Sequence, residues 1–243
     1  NSTKKSWDAW LDSTREIARE KVIPNLWCGT SVGYQDAAYE YVPEITNVTA
    51  AAIRFLSLEP LIGPVDLEPN WCQHCGATEH ELRASGEFVP TPEGAPWCGC
   101  CDTEMCGLGW CLDPCANGNR GIQWGIVGAE SGRKARPMHP AWERKLRKQF
   151  DDAGVAYLFK QHGEWVPVET CDDKAPREGD VWCFGGGHKG PNGCTQPWAP
   201  GTKPANVGRW DEFGDVLMRR IGRKASGDMI DGKRLHVFPT TEE

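Results

Sequence analysis

The sequence predicts an α/β fold built on parallel strands, and three observations support this. Short apolar runs, rich in β-branched and aromatic residues, alternate along the chain with segments of helical periodicity. Each apolar run ends in polar residues, as strands do at the carboxyl edge of a parallel sheet. One long insertion follows the second run and another follows the fourth. Because alternating buried strands and amphipathic helices are typical of βαβ units, we expect a parallel sheet.

The second apolar run is the most informative part of the chain. Ile53–Leu58 reads as a buried strand and is followed directly by Glu59 and Pro60. Proline has no amide hydrogen and cannot continue a central strand, so the carboxylate lies where the strand ends. Barrel enzymes carry their chemistry at this position. The alternative is a glutamate that caps a helix or braces a loop. The predicted strands are Asn25–Val32, Ile53–Leu58, Ile122–Gly128 and Val155–Phe159.

Several segments have the apolar spacing of amphipathic helices. His139–Ala153 has the clearest pattern, because Pro140 suits the first turn of a helix and Gly154 suits the position after the last turn. Its basic residues lie off the apolar face and indicate a solvated surface. The predicted helices are Ser6–Glu20, Asp36–Ile45, His139–Ala153 and Asp211–Ile221.

The ends of the predicted strands define a candidate site. The carboxyl ends of parallel strands meet at one edge of a sheet, so the polar residues that follow each strand are expected along that edge. Both insertions also follow strands and are expected over the same edge. The residues predicted there are Ser31, Glu59, Glu130, Lys160 and Gln161.

Composition limits the class of protein. The chain has 243 residues, of which 39% are hydrophobic and 25% charged, so it is globular rather than disordered. No apolar run is long enough to span a membrane, and we expect no membrane partner. The net charge of −7 disfavours a general nucleic-acid binder. Because the chain begins with Asn1 and not with Met, we expect a processed chain or a fragment.

Twelve cysteines are many for this length, and eight of them fall within residues 70–121. Such crowding favours metal binding over a disulfide framework and indicates a reducing, cytoplasmic compartment. The pairs Cys72-x-x-Cys75 and Cys98-x-x-Cys101 have the spacing of a tetrahedral zinc site.

The other cysteines of this insertion leave alternatives open. The pattern is compatible with a second metal site, with or without His74 or His80, with an iron–sulfur cluster, and with free thiols. A further set, Cys171, Cys183, His188 and Cys194, has weak zinc spacing. The candidate metal ligands of the insertion are Cys72, Cys75, Cys98, Cys101, Cys106, Cys111 and Cys115, while Cys100 has no assigned role.

Changes of composition divide the chain into five parts. Residues 1–69 and 122–165 form the two parts of the α/β core. Residues 70–121 are the cysteine-rich insertion, and residues 166–208 are a second insertion rich in Gly, Pro and Trp. Residues 209–243 are predicted as a C-terminal helix and tail.

Four motifs resemble one family. They are Phe55–Leu61 with Gly63–Asp66, Trp124–Gly132 with Ala135–Met138, Phe159–Trp165, and the tail from Lys224 to Gly232. In this order they resemble phage- and bacteria-encoded radical-SAM-like proteins, also known as three-Cys-motif proteins. The resemblance covers about 25–66, 122–165 and 209–239. It implies a partial TIM-like (β/α) barrel, of which this chain is the C-terminal half.

The resemblance also implies cofactors and roles. Such proteins hold a [4Fe–4S] cluster and S-adenosylmethionine at the barrel mouth, and the cluster cysteines lie in an N-terminal half. The run Cys98–Cys115 lacks the usual CxxxCxxC motif, so the cysteine-rich insertion is an addition to the family pattern. The resemblance implies that an N-terminal half or a partner chain completes the barrel. By resemblance, the substrate and S-adenosylmethionine side of this edge is lined by Glu59, Glu130, Ser131, Arg136, Lys160 and Gln161. We therefore expect the catalytic residues to be Glu59, Glu130 and Lys160. The expected substrate- or S-adenosylmethionine-binding residues are Ser131, Arg136 and Gln161, together with Ser31, which is included for its position at the end of a predicted strand.

Three functional hypotheses follow. The first is a radical-SAM-type enzyme acting on a nucleic acid or a peptide. The second is a zinc-stapled module that binds nucleic acid or a protein without catalysis. Its insertion tryptophans could stack on bases, or could equally form small cores. The third is a fragment that completes the barrel of another chain.

Overall fold

A computed structural model describes residues 22–46, 48–67, 88–90, 96–98, 103–104, 121–185, 195–197, 199–200 and 213–240. The predicted helix Ser6–Glu20 lies outside these residues, as does most of the cysteine-rich insertion. The strands are β1 Ile23–Ser31, β2 Ala51–Leu58, β3 Phe88–Pro90, β4 Pro96–Cys98, β5 Thr103–Glu104, β6 Trp124–Gly128, β7 Ala156–Gln161, β8 Trp165–Pro167, β9 Val181–Phe184, β10 Thr195–Pro197, β11 Asp215–Arg220, β12 Met229–Ile230 and β13 Lys233–Arg234. The α-helices are α1 Gln35–Thr46, α2 Pro140–Asp152 and α3 Arg223–Ser226.

Four of these strands form a parallel sheet in the order β1-β2-β6-β7, which confirms the predicted α/β core. The spatial order follows the chain order. Right-handed crossovers that step in one direction put their helices on one face of the sheet, as in a barrel wall. A closed barrel is not found among the described residues, and the sheet there has four strands.

The helices α1 and α2 cover one face of this sheet. Leu56 and Leu58 of β2 are fully buried in the core beneath them. The ring of Phe150 lies over Gly125, where an added Cβ would come within 2.4 Å of the ring. Burial of a side chain such as Phe150 contributes roughly 1.5–3 kcal/mol. None of the described helices has the length and apolar character needed to cross a membrane.

The segment after β2 lies against both helices. Asp66 Oδ1 accepts from Gln149 Nε2 at 2.7 Å, and Asp66 Oδ2 pairs with Lys145 Nζ at 3.1 Å, both on α2. Gln35, at the start of α1, accepts from the Asp66 amide at 2.6 Å and donates to its carbonyl at 3.1 Å. Asp66 therefore links the beginning of α1 to α2.

The C-terminal tail covers the outer edge of β7. The Phe159 amide donates to the Leu235 carbonyl at 2.8 Å, and the Val237 amide donates to the Tyr157 carbonyl at 3.0 Å. Trp124 Nε1 also donates to the Val237 carbonyl at 3.0 Å. The tail therefore pairs with the backbone groups at the edge of the sheet that β7 forms.

A second, antiparallel sheet has the order β10-β9-β11-β8 and occupies much of the second predicted insertion. The predicted helix Asp211–Ile221 is wrong, because Asp215–Arg220 is strand β11, paired with β8 and β9. Gly214 precedes it with φ 67°, a left-handed conformation that interrupts a helix. The 209–243 part of the chain consequently contains a strand followed by the four-residue helix α3.

Candidate functional site

Three side chains meet at the carboxyl edge of the parallel sheet. Glu59 follows β2 directly, and its Oε2 lies 2.8 Å from Lys160 Nζ. Its Oε1 accepts from Gln161 Nε2 at 2.9 Å. Lys160 and Gln161 end β7, two strands away from β2, so the group joins residues about a hundred positions apart in the chain. The sequence placed all three residues at this edge, and the structure brings them into contact.

The strand between them makes room for this contact. Gly128 ends β6 opposite Gln161, after an irregularity in the register. A Cβ added to Gly128 would lie 3.2 Å from the carboxyl carbon of Glu59, which is closer than side chains normally approach. The Ala129 amide donates to the Gln161 carbonyl at 3.0 Å and holds the chain beyond β6 at the edge. The absence of a side chain at Gly128 lets Glu59 reach the residues of β7.

Glu130 forms a second hydrogen-bonded group at the same edge. Its Oε2 accepts from the Arg136 amide at 2.9 Å and from Arg136 Nε at 2.8 Å, and its Oε1 accepts from Arg136 Nη2 at 3.2 Å. Glu59 and Glu130 follow the neighbouring strands β2 and β6, as the sequence predicted. The contacts of Glu130 close the loop between itself and Arg136, so this carboxylate braces a loop.

The two predicted serines lie at the same edge with exposed side chains. Ser31 ends β1 opposite Ser57, and Ser131 lies in the loop after Glu130. The hydrogen bonds to Glu59 come from Lys160 and Gln161. The predicted role of the serines in ligand binding stays a prediction.

The histidines that flank the edge have structural partners. His139 is 1% exposed; its Nδ1 accepts from the Ala141 amide at 3.2 Å, which caps α2. Its Nε2 lies 3.1 Å from the Gly214 carbonyl, which can only accept, so Nε2 carries the proton. His162 Nε2 lies 2.8 Å from the Met229 carbonyl. Both rings connect separate parts of the chain.

Sequence reasoning missed a buried carboxyl group. Glu143 of α2 is 2% exposed and accepts from the Tyr157 hydroxyl at 2.8 Å. Burial raises the pKa of Glu143 to about 7, against the lowering effects of the Tyr157 hydrogen bond and of Arg147. Burial also raises the pKa of Tyr157. The sequence does carry a signal for this position. Glu143 lies three residues before Leu146 and seven before Phe150, which belong to the apolar stripe of α2, and this spacing places Glu143 beside the stripe.

The described cysteines do not converge. Cys28 is buried within β1, and burial raises the pKa of its thiol. Cys171 and Cys183 belong to the second sheet region, while His188 and Cys194 lie outside the described residues. Among the described residues, no group of three or more His, Cys, Asp or Glu side chains is arranged to hold a metal ion. The side chains of Cys72, Cys75, Cys98, Cys101, Cys106, Cys111 and Cys115 lie outside that description.

A comparison with protein families gives a match over nearly the whole chain. A family model described as "Protein of unknown function (DUF5131)" matches residues 3–239. The chain belongs to the DUF5131 family. The match includes all the segments that carry the resemblance to radical-SAM-like proteins, but the description of DUF5131 states no activity. No curated protein and no solved structure matches the chain.

Proposed function

We propose that this chain supplies the ligand-binding edge of an S-adenosylmethionine-dependent enzyme of the radical type, with Glu59 as the central hydrogen-bond acceptor. The group formed by Glu59, Lys160 and Gln161 supports this proposal. Parallel α/β proteins bind their ligands where polar groups from different strands converge at the carboxyl edge. An N-terminal half or a partner chain would supply the remaining strands.

The residues of this edge fit the chemistry of S-adenosylmethionine. The ligand has an ammonium group, a carboxylate and ribose hydroxyls, and when bound it supplies the reactive group attached to its sulfonium. Glu59 can accept from the ammonium or the hydroxyls, and Lys160 can donate to the carboxylate. Gln161 offers both a donor and an acceptor.

The described residues do not fit an iron–sulfur cluster. Such a cluster takes several thiolates that point to one place. Cys28, Cys171 and Cys183 belong to separate elements, and no metal-holding group is found among the described residues. In this proposal the role of Glu59, Lys160 and Gln161 is to bind and orient S-adenosylmethionine. The described residues supply no cysteine ligand to an iron–sulfur cluster.

The ion pair at the edge can open at small cost. The Lys160 side chain is 57% exposed and that of Glu59 is 18% exposed. A pair of this kind contributes about 0–1 kcal/mol to stability. An incoming ammonium or hydroxyl can therefore replace Lys160 at Glu59, and the released lysine is then free to meet the carboxylate of the same ligand.

Equilibrium dialysis of radiolabelled S-adenosylmethionine against the full chain tests this function. We expect Glu59→Gln to weaken binding about tenfold or more, because a hydrogen bond to a charged group contributes roughly 1.5–3 kcal/mol. The matched control is Glu44→Gln, which removes one exposed carboxylate of α1 and should leave the affinity unchanged.

Two results would contradict the proposal. One is the absence of saturable binding up to about 1 mM ligand, where binding is worth only about 4 kcal/mol. That result would favour the alternative, a zinc-stapled module without catalysis. The other is equal binding by wild type and Glu59→Gln. Anaerobic reconstitution with iron and sulfide, followed by visible absorbance, separately tests whether the chain's other cysteines hold a cluster.

A further inference from the structure

Two distant segments of the chain meet beside the carboxyl edge. Arg220 Nη1 donates to the Arg133 carbonyl and Arg220 Nη2 donates to the Gly132 carbonyl, both at 2.8 Å. Glu164 Oε1 accepts from the Gly132 amide at 3.0 Å. The Glu164 carbonyl accepts from the amides of Ile221 at 3.0 Å and Gly222 at 3.1 Å. Glu164 and Arg220 thus fix the loop after β6 against the residues that follow β11.

This contact brings exposed basic residues of two segments near one another in the fold. Arg133 and Lys134 come from the loop, and Arg223 and Lys224 come from α3, and all four are exposed. None of the four has an ion-pair partner within the described parts of the chain. We define these four residues as the basic surface.

The nearby carboxylates already have partners. Glu130 is held by Arg136, and Glu164 accepts from Gly132 and lies 3.7 Å from Arg220. They therefore have little capacity left to neutralise the basic surface. The four cations repel one another, and a negatively charged ligand would relieve this repulsion.

Strand β11 separates the basic surface from an acidic loop. Neighbouring residues of a strand point to opposite faces of the sheet. Arg220 reaches the loop after β6, whereas Arg219 is 2% exposed and pairs with Asp180 at 2.7 Å. Arg219 also donates to the carbonyls of Asp173 at 2.5 Å and Ala175 at 2.7 Å. The acidic loop is residues 171–180, directly before β9. Arg219, which points away from the basic surface, holds this loop.

We propose that the basic surface binds the phosphodiester backbone of a nucleic acid. The whole chain carries a net charge of −7, so the positive charge of the basic surface is opposite in sign to the net charge of the chain. Arginine and lysine on two adjacent segments can contact successive phosphates without reading sequence. The proposal does not depend on the proposed function, because it concerns different residues and needs no S-adenosylmethionine.

Fluorescence anisotropy with a labelled single-stranded oligonucleotide and the full chain tests the proposal. We expect saturable binding at about 50 mM salt that weakens strongly by about 200 mM, since phosphate contacts release counterions. The double variants Arg133→Glu with Lys134→Glu, and Arg223→Glu with Lys224→Glu, should each weaken binding tenfold or more. The matched control for the single variant Lys134→Glu is Lys148→Glu. Lys148 is an exposed lysine in the last turns of α2 that pairs with Asp152.

The neutral double variant Arg133→Gln with Lys134→Gln is the control for loss of binding through misfolding. Circular dichroism checks that this variant is folded. The same variant should also reduce the slope of log affinity against log salt by about 0.7 for each lost phosphate contact. Absence of binding at low salt, or binding that Lys148→Glu weakens as much as Lys134→Glu, would overturn the proposal. Binding that survives in both charge-reversal variants would overturn it as well, and would place the nucleic acid elsewhere on the chain.

Discussion

The hydroxyl of Tyr157 lies 2.8 Å from the carboxyl group of Glu143, and this contact joins α2 to β7 in a buried environment. Tyr157 is 3% exposed and Glu143 is 2% exposed. An ionised carboxylate at such a depth loses its hydration, and a single hydrogen bond does not fully restore it. Burial therefore raises the pKa of Glu143 to about 7. The burial of Glu143 makes the stability of the core depend on pH.

Our first prediction concerns this dependence. The pKa of Glu143 is higher in the native state than in the unfolded chain. The native state therefore keeps the proton on this carboxyl group up to a higher pH. The free energy of unfolding should fall as pH rises from about 4.5 to about 7, by on the order of 3 kcal/mol from this group. Glu143→Gln keeps an acceptor for Tyr157 and should flatten the curve, with greater stability than wild type above pH 7. Urea unfolding at pH 5 and pH 8 checks this. A stability difference from wild type that is the same at both values would refute it.

Our second prediction concerns the buried pair of Arg219 and Asp180. Burial acts to raise the pKa of Asp180, but hydrogen bonds from Arg219 and Arg177, together with their charges, hold it below its usual value. Arg219→Met should destabilise the chain by roughly 3–5 kcal/mol, because it leaves Asp180 buried without its partner. Arg234→Met, at a pair whose arginine is largely exposed, serves as the control and should cost about 1 kcal/mol or less. Equal losses in chemical denaturation would show that burial does not matter here.

The parallel core could be predicted from the sequence because its signals are local. The strand Ile53–Leu58 and the helix His139–Ala153 agree with β2 and α2 to within two residues at each end. Glu59 and Gln161 could be placed at one edge, since the carboxyl ends of parallel strands meet there. Which polar residues touch one another could not be predicted, because it depends on the register irregularity near Gly128.

The second sheet could not be predicted for a different physical reason. Asp215–Arg220 is short and mixes apolar with charged residues, so its periodicity fits a helix as well as a strand. Its pairing with β8 and β9, and the buried contacts of Arg219, come from residues distant in the chain. The cover that the tail gives β7 is likewise a long-range backbone pairing, in which Phe159 and Val237 donate amide hydrogens.

Our third prediction concerns the cysteine-rich insertion. Metal analysis of the full chain should find at least one zinc per chain, because Cys72-x-x-Cys75 and Cys98-x-x-Cys101 have the ligand spacing of a structural site. Cys72→Ser with Cys75→Ser should release the metal and destabilise the insertion. Cys28→Ser, at a cysteine buried in β1, should leave the zinc content unchanged. A chain that contains no zinc, or that keeps its fold in chelator, would contradict this prediction.

Our last prediction separates the stability of the sheet from the binding role of its edge by means of two glycines of β6. At Gly125 an added Cβ would lie 2.4 Å from the ring of Phe150, which is fully buried and cannot move freely. Gly125→Ala should therefore lower the free energy of unfolding by roughly 1–3 kcal/mol, the usual cost of overpacking a core.

At Gly128 the added Cβ would lie 3.2 Å from the carboxyl carbon of Glu59, a side chain that can give way by a few tenths of an ångström. Gly128→Ala should change stability by less than about 1 kcal/mol, because the strain relaxes in a partly exposed side chain. The same movement draws Glu59 away from Lys160 and Gln161, so the affinity for S-adenosylmethionine should fall several-fold. Thermal unfolding and equilibrium dialysis on both variants give two independent measurements. The prediction is wrong if Gly128→Ala binds S-adenosylmethionine with the wild-type affinity while Gly125→Ala binds it more weakly. That result would show that the position of Glu59 does not control binding.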